Sequence, residues 1–229
     1  MFLHIPNVLT SEQAQQARKL LEKAEWVDGR LTAGAQAALA KNNMELKKGQ
    51  PAEAELAALV RKALDENKLF SIAALPDKIS PPMFNRYQGG QAYGMHVDNV
   101  FRQVPDDSGK PVRLRGDLSA TLFLSEPSEY DGGELVIGEA LGVQNIKLPA
   151  GHLALYPTTS LHEVKAVTRG ARLASFFWVE SLVRDGGKRA ILLDLDLAIQ
   201  KLYRENPKHP SLDEFLGVYH NLLRRWSED

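Results

Sequence analysis

The chain of 229 residues contains no cysteine, which excludes disulfides, thiolate metal sites and a cysteine nucleophile. No window approaches about eighteen consecutive apolar residues, so no spanning helix is expected. The opening MFLHIPNVLTSEQ lacks a basic stretch followed by a long apolar run and does not read as a signal peptide; a cytoplasmic protein is the expectation. Neither charge sign dominates. The formal net charge is -1, which removes any general attraction to nucleic acid or anionic membrane. A basic stripe interleaved with aromatics is also missing, so no nucleic-acid partner and no membrane are expected. Internal repeats, low-complexity tracts and a Ser/His/Asp constellation are absent too. GGQAYG has three glycines but no strand–loop–helix context; it reads as a turn beside a pocket, not a phosphate loop.

What is present divides into three parts. Residues 1–78 read as a mainly helical support. FLHIPNVL gives a short strand closed by Pro6, and Thr10 with Gln13 forms a capping box for a helix through EQAQQARKLLEKAEW. Gly29 and the polar residues from Lys41 to Gly49 interrupt the pattern. Pro51 then opens a second helix, PAEAELAALVRKALDEN. Residues 79–182 hold many short strands separated by Gly, Pro, Asp and Ser, with no helical period between them. That argues against a parallel sheet and for a double-stranded β-helix, or jelly roll. Within this part, residues 102–117 read as a polar loop. Residues 183–229 carry two helices, ILLDLDLAIQKLYRE and SLDEFLGVYHNLLRRWSE, the second with Ser211 as N-cap. This pair could pack on the barrel or join subunits of a homo-oligomer. The fold class is α+β.

Two of the six histidines sit where chemistry is plausible. His96 and Asp98 are two apart in YGMHVDN, a spacing that puts both side chains on one face of an extended strand. His162 comes later, in TTSLHEVKAV, and a jelly roll brings such distant strands together. Two histidines and one carboxylate make the facial triad of non-haem Fe(II) oxygenases, though zinc hydrolases use the same ligand types. His152 is the competing third ligand; following Gly151, it looks more like a strand-start residue. His4, His209 and His220 are given surface or packing roles.

Arg172 follows His162 by ten residues, with a turn at Thr168 to Gly170. Arg172, Ala174, Phe176 and Trp178 alternate on one strand face, and a cationic fork among small and aromatic residues suits a buried carboxylate. Arg169, the rival, sits in the turn and faces water.

The segments NRYQGGQAYGMHVDN, LSATLFLSEPSEYDGGELVI, GHLALYP and HEVKAVTRGARLASFFWVE resemble the prolyl 4-hydroxylase branch of the 2-oxoglutarate, Fe(II)-dependent dioxygenases, and more narrowly the bacterial PKHD-type hydroxylases. The resemblance covers roughly residues 80 to 180, and the last helices resemble the PKHD-type tail. It implies hydroxylation of a small-molecule or peptide substrate, with 2-oxoglutarate and O₂ consumed and succinate and CO₂ released. It puts Fe(II) on His96, Asp98 and His162 and 2-oxoglutarate on Arg172 and Tyr87, with Tyr93 lining the pocket. L-ascorbate enters as the family's usual reductant.

Around this centre, Asn99 to Arg102, Lys110, Arg113 and Arg115 could line the mouth and contact an acidic substrate, but read preferentially as a solvated basic run. Trp178 packs either beside the cosubstrate arm or in the barrel core, the second being the preferred reading. Glu126, Glu129, Asp131 and Glu134 read as rim residues. Two alternatives stay open: a cupin-like metal enzyme without 2-oxoglutarate, and a metal-dependent sensor or binding domain.

Overall fold

The computed structural model describes residues 2–32, 34–106, 109–139 and 142–227. Two antiparallel sheets make the jelly-roll core. The larger contains β1 (Leu3–Ile5), β2 (Trp26–Asp28), β4 (Met44–Leu46), β5 (Pro76–Ile79), β6 (Met83–Gln88), β10 (Leu118–Phe123), β14 (Leu153–Pro157) and β17 (Ala171–Ser181). Its order is β1-β14-β10-β17-β6-β4-β2, with β5 on the outer part of β17. The smaller runs β13 (Gly142–Ile146), β12 (Leu135–Glu139), β15 (His162–Val164), β7 (Ala92–His96) and β3 (Lys41–Asn42). Two short pairs complete the strands: β8 (Phe101–Pro105) with β9 (Pro111–Arg115), and β11 (Asp131–Gly132) with β16 (Val167–Arg169).

β10 shows how sequence sets the layers. All its residues are buried, as a central strand covered on both faces requires. Leu118, Ala120 and Leu122 join the core beneath the helices, while Phe123 joins the core between the sheets and Ser119 and Thr121 line a cleft. On β17, Leu173, Phe177 and Val179 enter the helix-side core, and Arg172, Phe176 and Trp178 line the cleft.

The helices are α1 (Ser11–Glu22), α2 (Ala35–Ala40), α3 (Pro51–Glu66), α4 (Lys68–Ala74), α5 (Gly186–Glu205) and α6 (Leu212–Trp226). The capping box closes as expected: Gln13 N–H donates to Thr10 Oγ1 at 3.2 Å, and Thr10 N–H to Gln13 Oε1 at 2.8 Å. Leu21, Leu56, Val60 and Phe70 pack from the N-terminal helices onto the larger sheet. Leu192, Ile199, Leu212 and Tyr219 of α5 and α6 close a separate cluster over Leu75 and Val183.

Several expectations change. α1 ends at Glu22, and Trp26 begins a strand instead of finishing the helix. The interrupted stretch around Lys41 to Gly49 supplies β3 to the smaller sheet and β4 to the larger. Asn67 ends α3 by capping a further helix, its Oδ1 accepting from Phe70 N–H at 2.9 Å. The expected polar loop instead supplies residues 102–105 of β8 and all of β9, where PVRLR alternates as a strand does. Ser211 stands at the start of α6 but makes no side-chain cap bond, its ψ of 1° lying outside the extended cap conformation.

Phe177 is fully buried and meets Phe70 edge-on, with ring centroids 6.4 Å apart. Phe177→Ala is expected to lower unfolding free energy by about 3–5 kcal/mol. Chemical denaturation measures it; a loss under about 1 kcal/mol contradicts this packing.

Candidate metal and cosubstrate site

His96 on β7 and His162 on β15 are direct partners across antiparallel strands, which sets their rings 4.2 Å apart. Asp98 lies just past the end of β7, so the extended-strand argument covers His96 but not the carboxylate. One ligand atom from each of His96, Asp98 and His162 falls within 4.8 Å of the others, close enough to hold one metal ion. His96 Nδ1–H donates to Gly94 O at 2.8 Å, and His162 Nδ1–H to Ser160 O at 3.0 Å. These bonds fix the tautomer and turn each Nε2 inward as the free donor. Tyr93 stacks on His96, centroids 3.7 Å apart and planes 17° apart.

Asp98 is held from several sides. Its Oδ2 accepts from Ser119 Oγ at 2.8 Å and Trp178 Nε1–H at 2.9 Å, and its Oδ1 from Arg102 at 3.3 Å. Burial raises the carboxyl's pKa, but His162, Trp178, Arg102 and Ser119 together outweigh it and hold Asp98 below the ordinary range. Burial, with His162 beside it, pushes His96 down to about 4, so at neutral pH it offers an uncharged nitrogen. Burial also pushes Tyr93 up to about 12, keeping its hydroxyl protonated.

Arg172 stands on β17 opposite Tyr87 of β6. It is 1% exposed, and its Nε and both terminal nitrogens have no hydrogen-bond partner among the described residues. The guanidinium carbon lies 5.0 Å from the Phe123 ring centre and 5.5 Å from that of Tyr87. Gly133 makes room for it. A Cβ there would meet Arg172 Cδ at 3.1 Å, and its φ of +68° also favours glycine. Burying a cation is costly without an anion. The cradle therefore fits a carboxylate, and its place in the same cleft as the triad fits a chelating dicarboxylate. Two imidazoles and one carboxylate fit Fe(II) and leave coordination positions open.

Tyr87 and Tyr93 line this cleft beside the triad and Arg172. His152 does not: its Nδ1 lies 2.8 Å from His4 Nε2, and its role as rival ligand is removed. Arg169 is exposed and paired with Asp131, and Glu129 is paired with Arg18. Trp178 lines the cleft and its indole N–H holds Asp98, which goes against the preferred reading of barrel-core packing. Arg102 leaves the solvated run as well, stacking on Trp178 with its guanidinium carbon 3.1 Å from the ring centre. Arg115 is not at the mouth; it pairs with Asp117 and donates to Ser181 O.

Sequence reasoning missed a wall of the cleft formed by Lys41, Asn43, Glu45 and Asn85. Lys41 and Glu45 form a buried ion pair, and Thr32 Oγ–H donates to Glu45 Oε2 at 2.6 Å. The alternation Lys41, Asn43, Glu45 in KNNMEL was the available signal, hidden by its polar composition.

Arg172→Met removes an unpaired buried charge and keeps an apolar stem of similar length. Without ligand it is expected to raise stability by about 1–3 kcal/mol. Denaturant midpoints test this; a comparable loss contradicts the claim that the guanidinium lacks a protein anion.

Comparison with known proteins accords with this geometry. The family model described as 2OG-Fe(II) oxygenase superfamily matches residues 82–180, and that of the PKHD-type hydroxylase C-terminal domain matches residues 186–228. A PKHD-type hydroxylase of Bordetella pertussis is 53% identical over 228 residues, covering 100% of both chains. Another from Parvibaculum lavamentivorans is 55% identical over 227 residues, covering 99% of each. Among solved structures, a Pseudomonas putida prolyl-4-hydroxylase shares the fold with a TM-score of 0.51 at 22% identity, covering 79% of this chain and 92% of that one. A Trichoplax adhaerens prolyl hydroxylase gives 0.53 at 19% identity, covering 83% and 86%. On the identity and full-length coverage of these relatives, the chain belongs to the PKHD-type hydroxylases, a branch of the 2OG-Fe(II) oxygenase superfamily.

Proposed function

We propose that His96, Asp98 and His162 hold the Fe(II) of this 2-oxoglutarate-dependent hydroxylase, and that Arg172 pairs with the far carboxylate of 2-oxoglutarate. The carrying observation is the buried Arg172 guanidinium, without a partner among the described residues, in the cleft that holds the triad. When bound, iron and cosubstrate supply the oxidising chemistry, with O₂ consumed and succinate and CO₂ released.

The chain's own residues do the positioning. Arg172 selects a dicarboxylate by charge and fork geometry, and Tyr87 beside it keeps its proton because burial raises its pKa. The carbonyls of Gly94 and Ser160 orient the imidazoles, and Trp178 and Ser119 orient Asp98. Phe176 and Trp178 give the cleft an apolar side that limits water. The substrate in this proposal is a small molecule or peptide, and L-ascorbate is the reductant that keeps iron ferrous. A homo-oligomer through α5 and α6 is included, supported by exposed Tyr203, Phe215, Leu216 and Val218.

Anaerobic titration of the Fe(II)-loaded enzyme with 2-oxoglutarate is expected to produce a visible charge-transfer band. Arg172→Met weakens the titration and His162→Ala abolishes the band. Stoichiometric iron with no band sinks the assignment and favours a cupin-like metal site.

Trp178→Phe leaves an aromatic ring of smaller size but removes the N–H held by Asp98. Metal affinity is expected to fall by roughly 10–100-fold. Competition with a chelator measures it, and unchanged affinity contradicts the orienting role.

A further inference from the structure

We infer that Asn43 and Asn85 form a substrate subsite for a neutral amide group, beside the iron and cosubstrate positions. The inference rests on the reading of Arg172 and the triad given above. Asn43 is 2% exposed and its side chain neighbours the Tyr87 hydroxyl, yet neither Nδ2 nor Oδ1 completes a hydrogen bond with a described residue. Asn85 is 7% exposed, and its Oδ1 is likewise unpaired. Both line the same cleft as His96, Asp98, His162 and Arg172. Buried polar groups in folded proteins are nearly always satisfied, so two such carboxamides in one wall point to a ligand.

Their placement is built into the fold. Asn85 sits on β6 opposite Glu45 of β4, with Met83 and Tyr87 on the same face. Asn43 lies two residues before Glu45, where β3 passes to β4 and the chain crosses from the smaller sheet to the larger. Gly29 makes room for it: a Cβ there would fall 1.9 Å from Asn43 Oδ1. The N-terminal segment thus closes one side of the cleft with amides.

Charge chooses the ligand class. Lys41 pairs with Glu45, and Arg102 with Asp98. Among the arginines and lysines lining the cleft, Arg172 is the one without an anion among the described residues, and the cosubstrate answers it. What remains is a balanced wall with unused donors and acceptors. A carboxamide offers both a donor and an acceptor, as does a secondary amide; two carboxamides can receive its C=O and N–H together. A charged substrate group would find no free counter-ion on this wall.

The test uses full-length enzyme loaded with Zn(II), a redox-inert stand-in for iron, and 2-oxoglutarate. Small secondary amides and capped dipeptides are titrated, each beside its ester analogue and a carboxylate of similar size, and binding is read by ligand-observed NMR. Amides are expected to bind roughly tenfold or more tightly than the esters and acids, which leave buried groups unpaired. Asn43→Leu and Asn85→Leu are each expected to erase the preference, and in Asn85→Leu 2-oxoglutarate affinity stays within about twofold. Tighter binding of capped dipeptides assigns the amide to a peptide chain, and tighter binding of the small amides assigns it to a small molecule; either supports the subsite. Equal binding of amides and esters, no amide binding, or wild-type preference in Asn85→Leu overturns it. Failure of 2-oxoglutarate itself to bind overturns the cosubstrate assignment instead, and is seen separately in the same samples.

Discussion

The buried guanidinium of Arg172 is the constraint around which the cleft is organised. A cation withdrawn from water and left without a protein anion costs several kilocalories per mole in a folded chain. The surroundings reduce that cost without removing it, through the ring faces of Phe123 and Tyr87. Gly133 gives the side chain its space, and β6 gives it a neighbour of fixed register. The same strand that carries Arg172 carries Trp178, which holds Asp98. One strand therefore couples the anion cradle to the metal ligands, at a separation set by the rise of an extended chain.

The opposite sheet brings the other half. His96 and His162 face each other because β7 and β15 pair directly, and their backbone-bonded Nδ1 atoms leave Nε2 as the metal donor. Strand geometry places the imidazoles, whereas Asp98, beyond its strand, depends on Ser119, Trp178 and Arg102. The division explains why so many groups converge on one carboxylate and so few on each histidine.

Much of this was legible in the sequence, for identifiable reasons. Short strands without intervening helical period gave the jelly roll, and the Thr10–Gln13 box appears in the structure as read. The HxD spacing, His162 and Arg172 stood out because each carries rare chemistry at a spacing strands can use. Trp178 did not, since an indole's packing role and its N–H role share one sequence pattern. Arg102 looked like part of a solvated basic run because its partner ring lies 76 residues away. The Lys41–Glu45 wall was hidden for a related reason. Its short strands are polar, and their burial comes from the sheets they join and the cleft they close.

The most direct test of the central claim compares two chelating ligands that differ in the group Arg172 is held to receive. Thermal melting is followed for the Zn(II)-loaded enzyme with increasing 2-oxoglutarate, and with 2-oxobutyrate, which keeps the 2-oxo acid but lacks the far carboxylate. Binding to the folded state alone raises the melting temperature with ligand concentration. The account predicts a clear rise with 2-oxoglutarate, little with 2-oxobutyrate at equal concentration, and no difference between them in Arg172→Met. Equal shifts for the two ligands in the native enzyme contradict it.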